Sequence, residues 1–155
     1  MREDRDYSDI PGTYVFDPHH SMLGYHLNMF CMSLNEEANR DKFQADERAY
    51  LEGFSLTPAQ QTAVLDRDWL GMLRLGGNIY YTFKIAAFDG LTMQQVGAAM
   101  SAMAAAEFQE MMVHGGRAIE GNRYQSEWDA NGEFVCWYRD FPCPGHWCSH
   151  GQWEG

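Results

Sequence analysis

Two copies of one helix-start pattern, Thr57-Pro58-Ala59-Gln60 and Thr92-Met93-Gln94-Gln95, constrain this chain more than any other feature. In each, the threonine hydroxyl can accept from the amide three residues on, while the glutamine side chain reaches back to the threonine amide. Two of the donors that a first helical turn leaves unpaired are then met locally. Asp17 before Pro18 is a third start, a capping carboxylate followed by a proline where no amide donor is needed. The stops are equally plain: Gly76-Gly77, Asp89-Gly90 and Gly115-Gly116. Starts and stops set this close together predict short helices joined by short loops.

The apolar spacing fills in the segments between them. A first helix from Asp17 runs through His26 and Met29, and a second from about Glu36 to Leu51 closes at Gly53, with Phe43, Tyr50 and Leu51 on one side. The helix opened by Thr57 carries Leu65, Trp69, Met72 and Leu73 at helical spacing. Ile79, Phe83 and Ala86 line the next, which ends at Asp89-Gly90. Met93, Val96, Met100 and Met103 form a stripe that reads as core, and a last short helix runs from Glu107 to Val113. The expected fold is mainly α: a single compact domain of about five helices over residues 10–124. Residues 1–9 form a charged N-terminal arm, Ile10–Phe16 is extended, and residues 125–155 form an irregular extension that holds four of the five tryptophans and three of the four cysteines.

Composition bounds the class. At 155 residues, with 45% hydrophobic and 21% charged, the chain can bury one proper core. A formal charge of −11 repels phosphate backbones and anionic lipid, which excludes nucleic acid and membrane surfaces as partners. No apolar run reaches the roughly 20 residues a membrane span needs, and the start MREDRDYSD has no apolar signal region, so a cytoplasmic location is expected. Cys31 is then a reduced thiol packed as a small hydrophobe.

The histidines do not assemble a familiar metal pattern. His19 and His20 are adjacent, His26 lies two helical turns from His19, and neither H-x-x-x-H nor H-E-x-x-H occurs, so no metal or catalytic site is assigned to the helical part. In the extension, Cys143, His146, Cys148 and His150 spell C-x₂-H-x-C-x-H, a compact ligand set for a structural zinc that competes with plain unmetallated packing. Gly76-Gly77-Asn78 lacks the remaining glycines and the lysine of a phosphate loop and reads as a tight turn between helices.

Five segments, in order, carry a resemblance: IPGTYVF (10–16), GYHLNMFCMSLN (24–35), ADERAYL (45–51), LGGNIYYTFKIAAFDG (75–90) and GGRAIEGNRY (115–124). Together they resemble the small (α) subunit of protocatechuate 4,5-dioxygenase, an extradiol ring-cleaving enzyme. The resemblance implies a heteromer in which a large (β) subunit holds a non-haem Fe(II) and the general base, while the small subunit covers the active-site entrance and binds no metal itself. It implies a catecholic acid that chelates the iron, attack by O₂ next to the diol, and ring opening to a muconate semialdehyde. It also places the start of the helix after Asp89-Gly90 at the substrate pocket, with Met93 in its wall where phenylalanine is common in the family. The broad face buried on the large subunit would draw on Tyr14, Phe16, Tyr25, Tyr80, Tyr81 and Phe83, since aromatic side chains dominate interface energetics. Three alternatives stand beside this reading: gallate or another substituted catechol as the ring, a binding or regulatory module without a catalytic partner, and a self-contained metalloenzyme using the histidines of the extension.

Overall fold

The structure is a computed structural model that describes residue 10 and residues 12–116. The helices of the described residues belong to one unit, Phe16–His114. In chain order they are α1 (Pro18–Leu23), α2 (Tyr25–Ser33), α3 (Glu37–Ala45), α4 (Glu47–Glu52), α5 (Pro58–Leu65), α6 (Trp69–Arg74), α7 (Ile79–Phe88), α8 (Met93–Met100) and α9 (Ala105–Val113). The mainly α class is as expected, and no strand occurs among the described residues. Outside that unit, Gly12 turns the chain at φ +70°, where the Thr13 amide donates to the Ile10 carbonyl. The expected N-terminal arm and the extension at 125–155 lie outside the described residues, as does the zinc set Cys143, His146, Cys148 and His150.

The start signals act as the sequence predicts. Asp17 accepts from the His20 amide, and Thr57 and Thr92 each form both halves of a capping box with Gln60 and Gln95. The helix count differs, because three expected helices are each broken in two. Gly24 divides the first: it lies backbone to backbone against Gly76, and a Cβ on it would overlap the Gly76 carbonyl. Asp46 divides the second by adopting extended backbone and capping α4 through the Ala49 amide at 3.0 Å. Arg67 divides the third. It takes left-handed backbone at φ +54°, the Asp68 amide closes back onto Ala63, and Asp68 then caps α6.

Each fragment is too short to be stable alone, so packing holds the set together. Leu27, Phe30 and Cys31 of α2 meet Phe43, Leu51, Val64, Met72, Ile85 and Val96 in one buried cluster. Phe30 and Phe43 stack edge to face at 5.2 Å, and Phe43 lies 5.0 Å from Phe88. Cys31 is fully buried, and loss of hydration pushes its thiol up to about 12. The methionine stripe is core only in part. Val96 is buried and Met100 packs against the cluster, but Met93 is 62% exposed and Met103 lies beyond the end of α8.

Two buried amides order the junctions. Asn28 donates to the Gly76 carbonyl at 3.0 Å and accepts from the Asn78 amide at 2.8 Å, fixing the turn that leads into α7. Gln60, besides its capping role, donates to the carbonyls of Leu23 and Leu75, at 3.1 Å each. Its single amide thereby satisfies the C-terminal ends of α1 and α6.

Candidate functional site

The candidate anchors separate into two groups. Tyr81 and Phe83 are half-buried and pack against the buried cluster. Tyr25 and Tyr80 stand out from the surface, 58% and 81% exposed, and Phe16 is 41% exposed. Tyr14, at 37%, sits in the segment ahead of α1. Tyr25 and Tyr80 are brought into one neighbourhood by the glycine contact: Tyr25 follows Gly24 directly, and Tyr80 follows Gly76 by four residues at the start of α7, which packs against α2. Asn78 caps α7 by accepting from the Tyr80 amide at 2.9 Å, so the same turn that locks onto Asn28 also sets the direction of Tyr80. Met93 occupies a different place, the first residue of α8, held by the Thr92–Gln95 capping box.

Apart from His26, whose ring meets Tyr25, the remaining exposed side of α2 is apolar. Leu27, Asn28, Phe30 and Cys31 face inward, while Tyr25, Met29 and Met32, spaced four and three residues apart, lie on the opposite side. An isolated helix surface carries charge on such a face; here there is none.

Among the described residues, no group of three or more His, Cys, Asp or Glu is gathered as a metal site would require. His20 Nδ1 lies 3.0 Å from Asp17 Oδ1, the His19 ring meets the His20 ring edge to face at 5.7 Å, and His26 meets Tyr25 at 5.3 Å. His114 caps the end of α9. A two-histidine, one-carboxylate iron set does not fit these positions.

An open groove of about 440 Å³ lies between α3, α4 and α7, lined by Glu37, Arg40, Asp41, Gln44, Glu47, Ala87 and Phe88. Arg40 is already engaged, donating to the carbonyls of Leu34 and Asn35 at the end of α2. Glu47 is held by Arg67, whose guanidinium also binds Asp89, with N–O distances of 2.6 Å to each. Its hydrogen bonds to Glu47 and then to Asp89 push the Arg67 guanidinium further up, so it stays charged at any working pH. Glu37, Asp41 and Glu47 would repel the carboxylate of an aromatic acid, and the groove suits no such substrate.

These described residues therefore offer apolar and aromatic surface rather than a set of acids, bases or nucleophiles. The sequence reading missed the Gly24–Gly76 contact, the two buried amides and the Arg67 clamp. The only hint was the placement of Asn28 and Gln60 among inward-facing positions of their helices, where polar residues must find partners.

A family model described as aromatic-ring-opening dioxygenase LigAB, LigA subunit, matches residues 27–113, more than half of the chain. The chain belongs to that family. Among curated proteins, gallate dioxygenase of Pseudomonas putida is 26% identical over 99 residues. That match covers 64% of this chain and 29% of the relative, so the chain spans under a third of that protein's length. Among the described residues, no helix is long and apolar enough to cross a membrane.

Proposed function

We propose that this chain is the small subunit of a heteromeric extradiol dioxygenase of the protocatechuate 4,5-cleaving type, working in the cytoplasm beside a large catalytic subunit. The match of residues 27–113 to the small-subunit family carries this reading. Residues 10–124 are its working domain, and residues 125–155 are an extension added to it. Fe(II), held by the large subunit, would supply chelation of the catechol and activation of O₂.

This chain's own part is to cover the site. A cover removes water from the reacting ring and restricts how the substrate can lie, and both effects raise rate. Met93, at the fixed first turn of α8 and open to its surroundings, supplies pocket wall; its thioether keeps apolar volume but offers no flat ring for stacking. Tyr14, Phe16, Tyr25, Tyr80, Tyr81 and Phe83 contribute to the interface with the large subunit, the last two from half-buried positions against the core.

A second reading keeps the role and changes the ring to gallate, or another substituted catechol. It is favoured by the similarity to gallate dioxygenase and by methionine at position 93.

The experiment is oxygen uptake with Fe(II) and either protocatechuate or gallate, for this chain, for the candidate large subunit and for the mixture. The expected result is uptake by the mixture well above that of the large subunit alone, with the preferred ring deciding between the two readings. Uptake by this chain alone, or a large subunit indifferent to its presence, would overturn the proposal.

A further inference from the structure

From Pro18 to Asn35 the chain contains no Asp, Glu, Lys or Arg, although one residue in five is charged overall and the formal charge is −11. This uncharged run is not simply buried. It forms α1 and α2, and it leaves Met22, Tyr25, Met29 and Met32 at the surface. Charge returns immediately beyond it, as the exposed acids Glu36 and Glu37 and as the cations Arg40 and Lys84, which donate to the Leu34 and Asn35 carbonyls and to the Asn35 side chain. Tyrosine and methionine without charge is the composition of the core of a protein–protein interface, and a border of mixed charge is that of its rim.

The face is also stiff. The α1–α2 junction is locked to the α6–α7 junction by the Gly24–Gly76 contact, by Asn28 and by Gln60. A surface that need not be ordered on binding loses less entropy when it is covered.

We infer that the outward side of α2, Tyr25, Met29 and Met32, is the centre of the docking surface for the large subunit, met there by an uncharged apolar patch with charges of both signs around it. This rests on the small-subunit reading above and adds the place of contact. Charge decides against a second copy of this chain as the occupant, since two bodies of −11 repel each other. It decides against an anionic membrane for the same reason.

The test uses the full chain and the purified candidate large subunit, with affinity measured by titration calorimetry and assembly by sedimentation. Met29→Glu would place an unpaired carboxylate in the contact and is expected to weaken binding about 100-fold. Gln44→Glu, on the exposed side of α3, adds the same charge elsewhere and is expected to leave affinity within about threefold. Helical circular dichroism and the melting temperature of each variant check the fold, and Met32→Glu repeats the test at a second position. Unchanged affinity in both folded methionine variants, with oxygen uptake by the wild-type mixture intact, would overturn the inference and leave the small-subunit reading standing. Absence of any wild-type complex or uptake would overturn both. A wild-type homodimer that Met29→Glu dissolves, or wild-type binding to phosphatidylserine vesicles, would overturn the choice of occupant.

Discussion

The outward side of α2 and the outward side of α3–α4 are built from opposite materials. The first shows Tyr25, Met29 and Met32 and no charge, over a base tied by a glycine contact and two buried amides. The second shows Glu37, Asp41, Lys42 and Gln44, with an ion cluster at its edge where Arg67 joins Glu47 of α4 to Asp89 beyond α7. Both sides cover one aromatic core, in which Phe30 of α2 stacks on Phe43 of α3. The difference is therefore not one of stability. A charged surface keeps a chain dispersed, whereas an apolar one on a rigid base has a use only when something covers it.

The strongest way to break the comparison is to attack the base of the apolar side. Gly24→Ala drives a Cβ into the Gly76 carbonyl, and no side-chain adjustment can relieve an overlap between two backbones. The expected loss is about 3 kcal/mol or more, or failure to fold, as read by urea denaturation. Gly90→Ala is the control. Gly90 has φ +71° but open space around its Cβ position, so only backbone strain acts and about 1 kcal/mol is lost. Equal losses at the two positions would show that close approach is not what fixes the α1–α2 junction.

That junction also shows where sequence reading stops. Caps and stops were legible because they are settled within three or four residues: Asp17, Thr57, Thr92, Gly76-Gly77 and Asp89-Gly90 behave as their local chemistry requires. The breaks at Gly24 and Arg67 were not. Gly24 is needed because Gly76, far along the chain, approaches it. Arg67 carries a positive φ that its residue type does not announce, and its reward is a tertiary ion cluster. The candidate anchors divide for the same reason. Tyr80 and Tyr81 look alike in sequence, yet helical rotation sends one outward and the other onto the core.

On the charged side, Arg67→Met keeps an unbranched apolar stem but removes the guanidinium, leaving Glu47 and Asp89 without their shared cation. Arg67 also lies 5.8 Å from the Phe43 ring centroid, so its packing reaches the aromatic core. The three side chains are only 20–30% exposed, which limits solvent screening. A loss of about 1–3 kcal/mol is expected in urea denaturation, smaller than that of Gly24→Ala. A variant as stable as the wild type would mean that the clamp is ordinary surface charge, and the contrast between the two sides would then rest on α2 alone.

The effect that vanishes at neutral pH, and is the smallest there, lies directly beneath the apolar face. Cys31 lies on the inward side of α2, away from Met29, and burial holds its thiol neutral by raising it from 9.0 to about 12. Because the folded value lies above the unfolded one, the unfolded chain releases this proton first as pH rises. The stabilisation is therefore complete below about pH 9 and is lost as pH climbs toward 12. Wild type and Cys31→Ala share every other titrating group, so the difference between their urea stabilities isolates this one. That difference should be constant up to about pH 8.5 and should then move against the wild type by about 1 kcal/mol for each further pH unit. Native Cys31 should also resist iodoacetamide at pH 8 and react once urea unfolds the chain, as peptide mapping would read. Labelling of the native chain at the rate of a free thiol would mean that α2 lifts readily from the core, and a face that lifts is no rigid platform for a partner.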